Sequence, residues 1–454
     1  MVAFQLPLTG TGKTLLSGNQ VAHWLLFYFI SDEGMGMMNE ATVAFIRRHA
    51  EEDVRKLALK GGQHPDVDMP LALQQIAGRQ TARQKLPSWA AIDALLYPPH
   101  LSMEQCSSEQ TARYKAQLAA RLCADFGQES WSEDPKKAHL PHETEPSLVD
   151  LTGGFGVDFS FMARQFERCI YIEWQQALCE VAQHNFSLLG LQHAEVVCAD
   201  GVDYLRRMNH ATIIYLDPAR RDRQGGKTVA ISDCTPDLLS LKEQLTNKSL
   251  FVMVKLSPML DWHQAVAQLE TDEVKVCEIH VLSVRNECKE LLFVLSKQRH
   301  KPLTIHCVND DQAFVCSADE PSDVPPPYVS SEDMRPGQYL YEPHASIMKA
   351  GCFSAVSAQL GVRKIAPNSH LFISERDLSA FPGRKFRIQA LSSMNKKELR
   401  SVLRDVRQAN ITTRNFPLSV AELRKRLKLK DGGSVYIFAT TQADGRHVLL
   451  ICGK

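Results

Sequence analysis

The sequence predicts an α/β protein built on a doubly wound parallel sheet, and three observations predict it. A short apolar run, Leu148–Leu151, leads into a glycine-rich turn, Asp150-Leu151-Thr152-Gly153-Gly154-Phe155-Gly156-Val157-Asp158. Later apolar runs each close on an acid, at Glu173, Asp200 and Asp217. Open α/β sheets bind ligands at the carboxyl ends of their strands, so this series sets polar groups where a ligand would lie. Finally, two longer apolar runs, Val274–Val284 and Glu290–Leu295, flank Arg285-Asn286-Glu287-Cys288, which predicts an antiparallel hairpin at one sheet edge.

The chain has 454 residues and a formal net charge of zero. That length supports two or three domains with real cores. The neutral balance leaves nucleic-acid binding to be judged from local charge. The longest N-terminal apolar run, Val21 to Ile30, contains His23 and is too short to span a bilayer. It lacks the charged start and small-residue cleavage site of a signal peptide, so a cytoplasmic protein without membrane attachment is expected. Twelve cysteines occur without a CxxC pair, so reduced thiols and no metal are expected.

Residues 1–38 are expected to be a disordered extension, with an early start codon as the other reading. Their Gly10-Thr11-Gly12-Lys13-Thr14 resembles the end of a phosphate-binding loop, but Pro7 stands where that motif needs glycine. Residues 39–146 read as a helical region and linker. Helical spacing recurs from Asn39, over Leu71 to Leu86 and over Ser108 to Phe126. A further helix is expected to start at Ser88-Trp89-Ala90-Ala91-Ile92, and Gly127 to His142 reads as linker.

The α/β domain is placed at 147–299, with strands at Leu148–Leu151, Cys169–Ile172, Ala194–Cys198, Thr212–Leu216 and Leu250–Lys255 before the hairpin. Short apolar runs of this kind suit buried parallel strands. Residues 300–337 read as a connector, 338–380 as a small module and 381–454 as a final α+β domain. A helix is expected within Ala345 to Leu360, ending at Gly361. The final domain alternates strand Lys385–Leu391, helix Lys396–Gln408, strand Ile411–Thr413, helix Ser419–Leu429 and a hairpin, Val435–Thr440 with His447–Cys452. Ser419 and Glu422 form a capping box.

The glycine turn lacks the GxGxxG spacing of a dinucleotide cradle. Asp150 before the turn and Asp158 after it would repel a diphosphate but suit a cationic amino-acid moiety. S-adenosylmethionine (SAM) carries an ammonium, a carboxylate and a sulfonium, and no phosphate. Asp150 would face its amino-acid end, with Thr152, Gly154, Gly156 and the amides near Gly153 close to the carboxylate. Glu173 can accept hydrogen bonds from both ribose hydroxyls, and Asp200-Gly201 would meet the adenine amino edge. A simple turn is the competing reading of Asp200-Gly201.

This order of residues resembles the class I SAM-dependent methyltransferases, most clearly over Asp150 to Asp222. The resemblance implies a Rossmann-like seven-stranded sheet with an antiparallel final strand. Leu86-Pro87-Ser88-Trp89, Ser107-Ser108-Glu109-Gln110-Thr111-Ala112-Arg113-Tyr114, the glycine turn and Asp217-Pro218-Ala219-Arg220-Arg221-Asp222 narrow it. Together they resemble bacterial THUMP-like-domain methyltransferases related to RNA guanine-N2 methyltransferases. That implies a ferredoxin-like module near 338–380, a THUMP-like domain after it, and structured RNA as partner.

Methyltransferases acting on exocyclic amino nitrogens often carry Asn/Asp-Pro-Pro-aromatic after the fourth strand. Here Asp217 and Pro218 are kept, Ala219 replaces the second proline, and Arg220 takes the stacking position. A guanidinium can stack on a base and also contact phosphate. Asp217, Pro218 and Arg220 are therefore the expected catalytic group, with Arg220, Arg221 and Asp222 organising substrate. Lys255-Leu256-Ser257-Pro258 is a weaker candidate lining.

Arg384 to Lys430 holds fourteen Lys or Arg residues against Glu398, Asp405 and Glu422. Lys396, Lys397 and Arg400 are its expected phosphate contacts. The function this predicts is SAM-dependent N-methylation of RNA, with guanine N2 the first acceptor. A protein or small-amine methyltransferase and a non-catalytic RNA-binding protein are the alternatives. The sequence leaves the oligomeric state open.

Overall fold

The structure, a computed structural model, describes residues 38–59, 64–129, 146–220, 230–297, 301–318 and 328–454. Residues 1–37, with the Gly10–Thr14 segment, and most of the 127–142 linker lie outside the described residues. The chain divides into two compact units, Met1–Arg207 and Met208–Lys454. Among the described residues no helix is long and apolar enough to cross a membrane.

The first unit opens with helices Glu40–Arg48, Val54–Ala58, Met69–Lys85, Pro87–Ala90, His100–Gln105 and Glu109–Glu129. Asn39 caps the first, its side chain accepting from the Thr42 amide at 2.8 Å. Phe45, Leu57, Ala72 and Ile76 form a small core between the early helices. The helix expected from Ser88 is a single turn, Pro87–Ala90.

Three parallel strands follow: β1 (Ser147–Asp150), β2 (Arg168–Glu173) and β3 (Ala194–Cys198). Helices Val157–Met162, Gln176–Leu188 and Gly201–Arg207 follow them in turn. The N-terminal helices are fastened to this layer by polar pairs that exclude water. Asn185 exchanges two 2.9 Å hydrogen bonds with the Leu96 backbone. Lys115, fully buried, pairs with Asp158 at 3.1 Å. Removing one partner of such a pair costs about 3–5 kcal/mol, because the other charge stays buried.

In the second unit the strands are β4 (Ala211–Leu216), the short ladder β5 (Ala219–Arg220) with β6 (Cys234–Thr235), β7 (Ser249–Leu256), β8 (Lys275–Val284), β9 (Glu287–Ser296), β10 (Thr304–Asn309) and β11 (Gln312–Ser317). β4 pairs parallel with β7, and β9 runs antiparallel to both β7 and β8. This is the expected antiparallel strand of the class I sheet. The β8–β9 turn is shorter than expected, two residues with Arg285 and Asn286 at φ 52° and 61°. β1–β3 with β4, β7, β8 and β9 account for the seven strands. The stretch read as a connector adds a hairpin, β10–β11, with β10 parallel to β8.

The remaining strands are β12 (Tyr339–Pro343), β13 (Arg363–Lys364), β14 (Phe372–Ser374), β15 (Gly383–Ser392), β16 (Asn410–Arg414), β17 (Val435–Thr441) and β18 (His447–Gly453). They form one sheet in the order β13-β14-β12-β15-β18-β17-β16. Leu340, Phe386, Phe438 and Leu450 pack one face; Ile411, Leu423, Ile437 and Leu449 pack the other. Neighbouring Leu449 and Leu450 thus point to opposite cores, as strand alternation requires. Glu342 on β12, 3% exposed, accepts from Arg384 on β15 at 2.8 Å and Arg414 on β16 at 2.9 Å.

Two helix expectations are corrected here. Ala345 to Leu360 is two helices, Ala345–Ala350 and Phe353–Leu360, divided at Gly351, whose φ of 75° ends the first. The helix expected over Lys396–Gln408 stops at Val402. Residues beyond it are drawn into backbone bonds with Lys430: the Ala409 amide donates to its carbonyl, and its amide donates to Arg407.

Candidate active site

In the first unit the glycine turn is held by its neighbours. β1 is buried from Leu148 onward and ends at Asp150, 1% exposed, whose Oδ1 accepts from the Thr152 amide at 2.9 Å. The Gly153 amide donates to the Ile172 carbonyl at 2.8 Å, stitching the turn to β2. A Cβ on Gly153 would lie 2.2 Å from the Tyr171 ring, and one on Gly201 would lie 2.1 Å from the Leu151 carbonyl oxygen. Gly154 and Gly156 have φ of 57° and 79°. The glycines therefore serve backbone geometry and close packing of the turn.

Glu173, at the end of β2, reaches this turn. Its Oε2 accepts from the Gly154 amide and its Oε1 from the Gln175 amide, each at 2.9 Å. Burial pushes its carboxyl above the ordinary glutamate range, opposed by the backbone amides of Gln175 and Gly154. Trp174 follows it with 60% of its surface exposed. Asp200 is exposed, and its Oδ1 accepts from the Val202 and Asp203 amides at 2.8 and 3.0 Å. Asp200 thus caps the helix that starts at Gly201.

Asp158 stands apart from these acids in its bonding. Ser107 Oγ donates to its Oδ2 at 2.7 Å, and the Lys115 ammonium donates to Ser107 at 3.0 Å. Sequence reading missed this buried trio. Its signal was present: Lys115 falls on the buried stripe of its helix with Ala112, Ala116 and Ala119. A lysine there needs a buried anion.

In the second unit Asp217 and Pro218 follow β4 directly. Lys255, on the adjacent β7, donates to Asp217 Oδ2 at 2.6 Å. The Asp217 side chain is 39% exposed and that of Lys255 12%, so the ammonium comes from inside to an open carboxylate. Lys255, the weaker sequence candidate, is thus hydrogen-bonded directly to Asp217. Arg220 lies in β5, its backbone opposite Cys234. Arg221 and Asp222 lie outside the described residues.

Lys396, Lys397 and Arg400 are exposed on the helix Lys396–Val402. The basic surface is smaller than its charge count implied. Arg384 and Arg414 serve Glu342, Lys385 pairs with Asp377 at 2.6 Å and Arg424 with Asp431 at 2.6 Å. Arg404 and Arg407 are exposed but lie beyond the helix.

The donor set of the first unit suits SAM. Two buried acids, Asp150 and Glu173, flank a turn of glycines, and the acids' acceptor oxygens match hydroxyl and ammonium donors while disfavouring phosphate.

Comparison with known proteins adds family evidence. Residues 383–454 match the THUMP domain-like family model, and 339–382 match a ferredoxin-like domain model. These two stretches are the strands of one seven-stranded sheet. A crystal structure from Porphyromonas gingivalis W83, of a protein assigned as a methyltransferase, is 34% identical, with a TM-score of 0.76, covering 91% of this chain and 97% of that one. A Pyrococcus horikoshii protein assigned as an RNA methyltransferase is 14% identical, with a TM-score of 0.31, covering 46% of this chain and 96% of its own. A Bacillus cereus O-methyltransferase in complex with SAH (S-adenosylhomocysteine) is 11% identical, also at 0.31, covering 48% of this chain and 91% of its own. Likeness at that level carries no argument about substrate. No curated protein matches the chain. With the Porphyromonas structure alike over nearly its whole length, and the THUMP-like segment at the C-terminus, the chain belongs to the THUMP-like-domain class I SAM-dependent methyltransferases.

Proposed function

We propose that the protein methylates an exocyclic amino nitrogen of structured RNA, with guanine N2 the first acceptor to test. The observation that carries this reading is the Lys255–Asp217 pair after β4, at the head of Asp217-Pro218-Ala219-Arg220. An amine that attacks a sulfonium methyl needs orientation more than a strong base. Bound SAM supplies the activated methyl group. Asp217, fixed by Lys255, accepts an N–H hydrogen bond from the acceptor amine and aims its lone pair. The amine proton passes to Asp217 or to water once nitrogen is alkylated. Pro218 stiffens the turn, and Arg220, with Arg221 and Asp222, organises the substrate.

In the same reading Asp150 receives the SAM ammonium and Glu173 the ribose hydroxyls. Thr152, Gly153, Gly154 and Gly156 shape the turn around its carboxylate, while Asp200 and Gly201 border the adenine. Asp158 acts through Lys115 and Ser107, anchoring the helix that follows the turn. Exposed Lys396, Lys397 and Arg400 supply the phosphate contacts.

The test is methyl transfer from radiolabelled SAM into total RNA of a strain lacking the gene, followed by digestion to nucleosides. Label in N2-methylguanosine is the expected result. No label in that RNA from folded protein that binds SAM, with label in the protein or small-amine fraction of the same strain supplied separately, would refute the RNA assignment.

A further inference from the structure

We propose that Glu278, His280 and His306 bind a divalent transition-metal ion of the zinc type, in a site that none of the methyl-transfer assignments uses. The three residues come together through strand register. β8 and β10 are parallel neighbours with His280 directly opposite His306. Glu278 lies two residues before His280, and side chains two apart share a face of a strand.

The ligand atoms converge on one point. His280 Nε2 is 2.9 Å and His306 Nε2 3.8 Å from the same oxygen, Oε2 of Glu278. The two imidazole rings stack with centroids 4.4 Å apart and planes inclined by 22°. One ligand atom from each residue lies within 4.8 Å of the others. Around tetrahedral zinc, with bonds of about 2.0–2.2 Å, such atoms sit about 3.4 Å apart. Small side-chain rotations therefore close the set around an ion.

The electrostatics favour a cation. Two imidazolium rings stacked this closely would repel each other. His280 Nε2 already meets Glu278 Oε2 at 2.9 Å, and in the tautomer protonated at Nδ1 each ring turns an Nε2 lone pair toward the space a divalent ion would fill beside that carboxylate. The His280 side chain is 1% exposed, Glu278 16% and His306 22%, so the site is sheltered but open on one side. Three protein ligands leave a fourth position for water. Two imidazoles and one carboxylate suit zinc or cobalt and disfavour magnesium or calcium, which seek oxygen. Thr304 Oγ1, 3.3 Å from His306 Nε2, also borders the site.

The ion would tie β10, the first strand beyond the seven of the class I pattern, to β8. A ligand bound only by the folded protein raises its stability. The site escaped the sequence because its residues are joined by register and carry no spacing motif.

The test uses the full-length protein, stripped with chelator and titrated with zinc chloride, with cobalt chloride as a spectroscopic probe. Expected are one tight equivalent of zinc, a higher unfolding temperature on loading, and a visible cobalt absorption band. His306→Ala and Glu278→Gln should each weaken uptake at least about 10-fold while keeping the circular dichroism of the wild type. His263→Ala, at an exposed histidine elsewhere, should leave uptake unchanged. No zinc uptake by the wild type, or undiminished uptake by folded His306→Ala, would overturn the proposal. An anomalous zinc peak in crystals settles the matter without variants: between the three side chains it supports the site, and elsewhere alone it refutes it.

Discussion

Glu173 ends the parallel strand β2 and Asp217 follows the parallel strand β4, yet the protein builds them in opposite ways. Glu173 is 5% exposed and held by two backbone amides, so its orientation is set by the main chain. Asp217 is 39% exposed at its side chain and accepts a hydrogen bond from the flexible ammonium of Lys255. Backbone donors fix a group rigidly and suit recognition of an unchanging ligand. A side-chain partner leaves freedom to adjust as an acceptor arrives and a proton departs. The difference suits the proposed roles, cofactor recognition for the first carboxylate and chemistry for the second.

The comparison breaks most directly at Asp217. Asp217→Ala should lower the methyl-transfer rate about 1,000-fold, within the usual range for a positioned proton acceptor, while SAM affinity stays within about twofold. Single-turnover kinetics and equilibrium dialysis of the same protein would check both halves. Glu173→Ala should act the other way, weakening SAM binding about 10- to 100-fold through lost charge-assisted hydrogen bonds. Calorimetric titration measures that loss, and unchanged affinity in a folded variant would remove its ribose role.

Charge reversal of Lys396, Lys397 and Arg400 to glutamate touches neither carboxylate. It should weaken RNA binding about 10-fold and flatten its salt dependence by roughly two units of log–log slope, leaving SAM affinity intact. Filter binding across a salt series reads both effects.

The smallest effect is one of pH. Burial raises the Glu173 carboxyl above the ordinary range. A protonated carboxyl loses an acceptor, so SAM affinity should be full above that raised pKa. It should fall several-fold as pH drops through it, at a higher pH than an ordinary glutamate would give. Calorimetry across the acid range checks the position, and the Glu173→Ala variant should lack the step.

Local signals in the sequence proved readable wherever short-range chemistry decides structure. The glycine turn, the strand ends at Glu173 and Asp217, and the Ser419–Glu422 capping box all form as their spacing predicts. Long-range partners were invisible. Glu342 claims Arg384 and Arg414 from the basic stretch, Lys430 draws residues 407–409 out of a helix, and Lys115 finds Asp158 across the chain. The β10–β11 hairpin was read as connector because Thr304–Asn309 alternates buried and half-buried residues over only six positions. Polar His306 and Asn309 break the apolar run that would have marked a buried strand.

In the proposed function Glu173 and Asp217 divide cofactor recognition from chemistry, and one paired experiment tests that division. SAM affinity and single-turnover methyl transfer would be measured at saturating SAM for Glu173→Ala and Asp217→Ala. A crossed result is expected: the first variant loses affinity and recovers most of its rate when SAM saturates, and the second keeps affinity and stays slow. Parallel loss of both properties in both folded variants would contradict it.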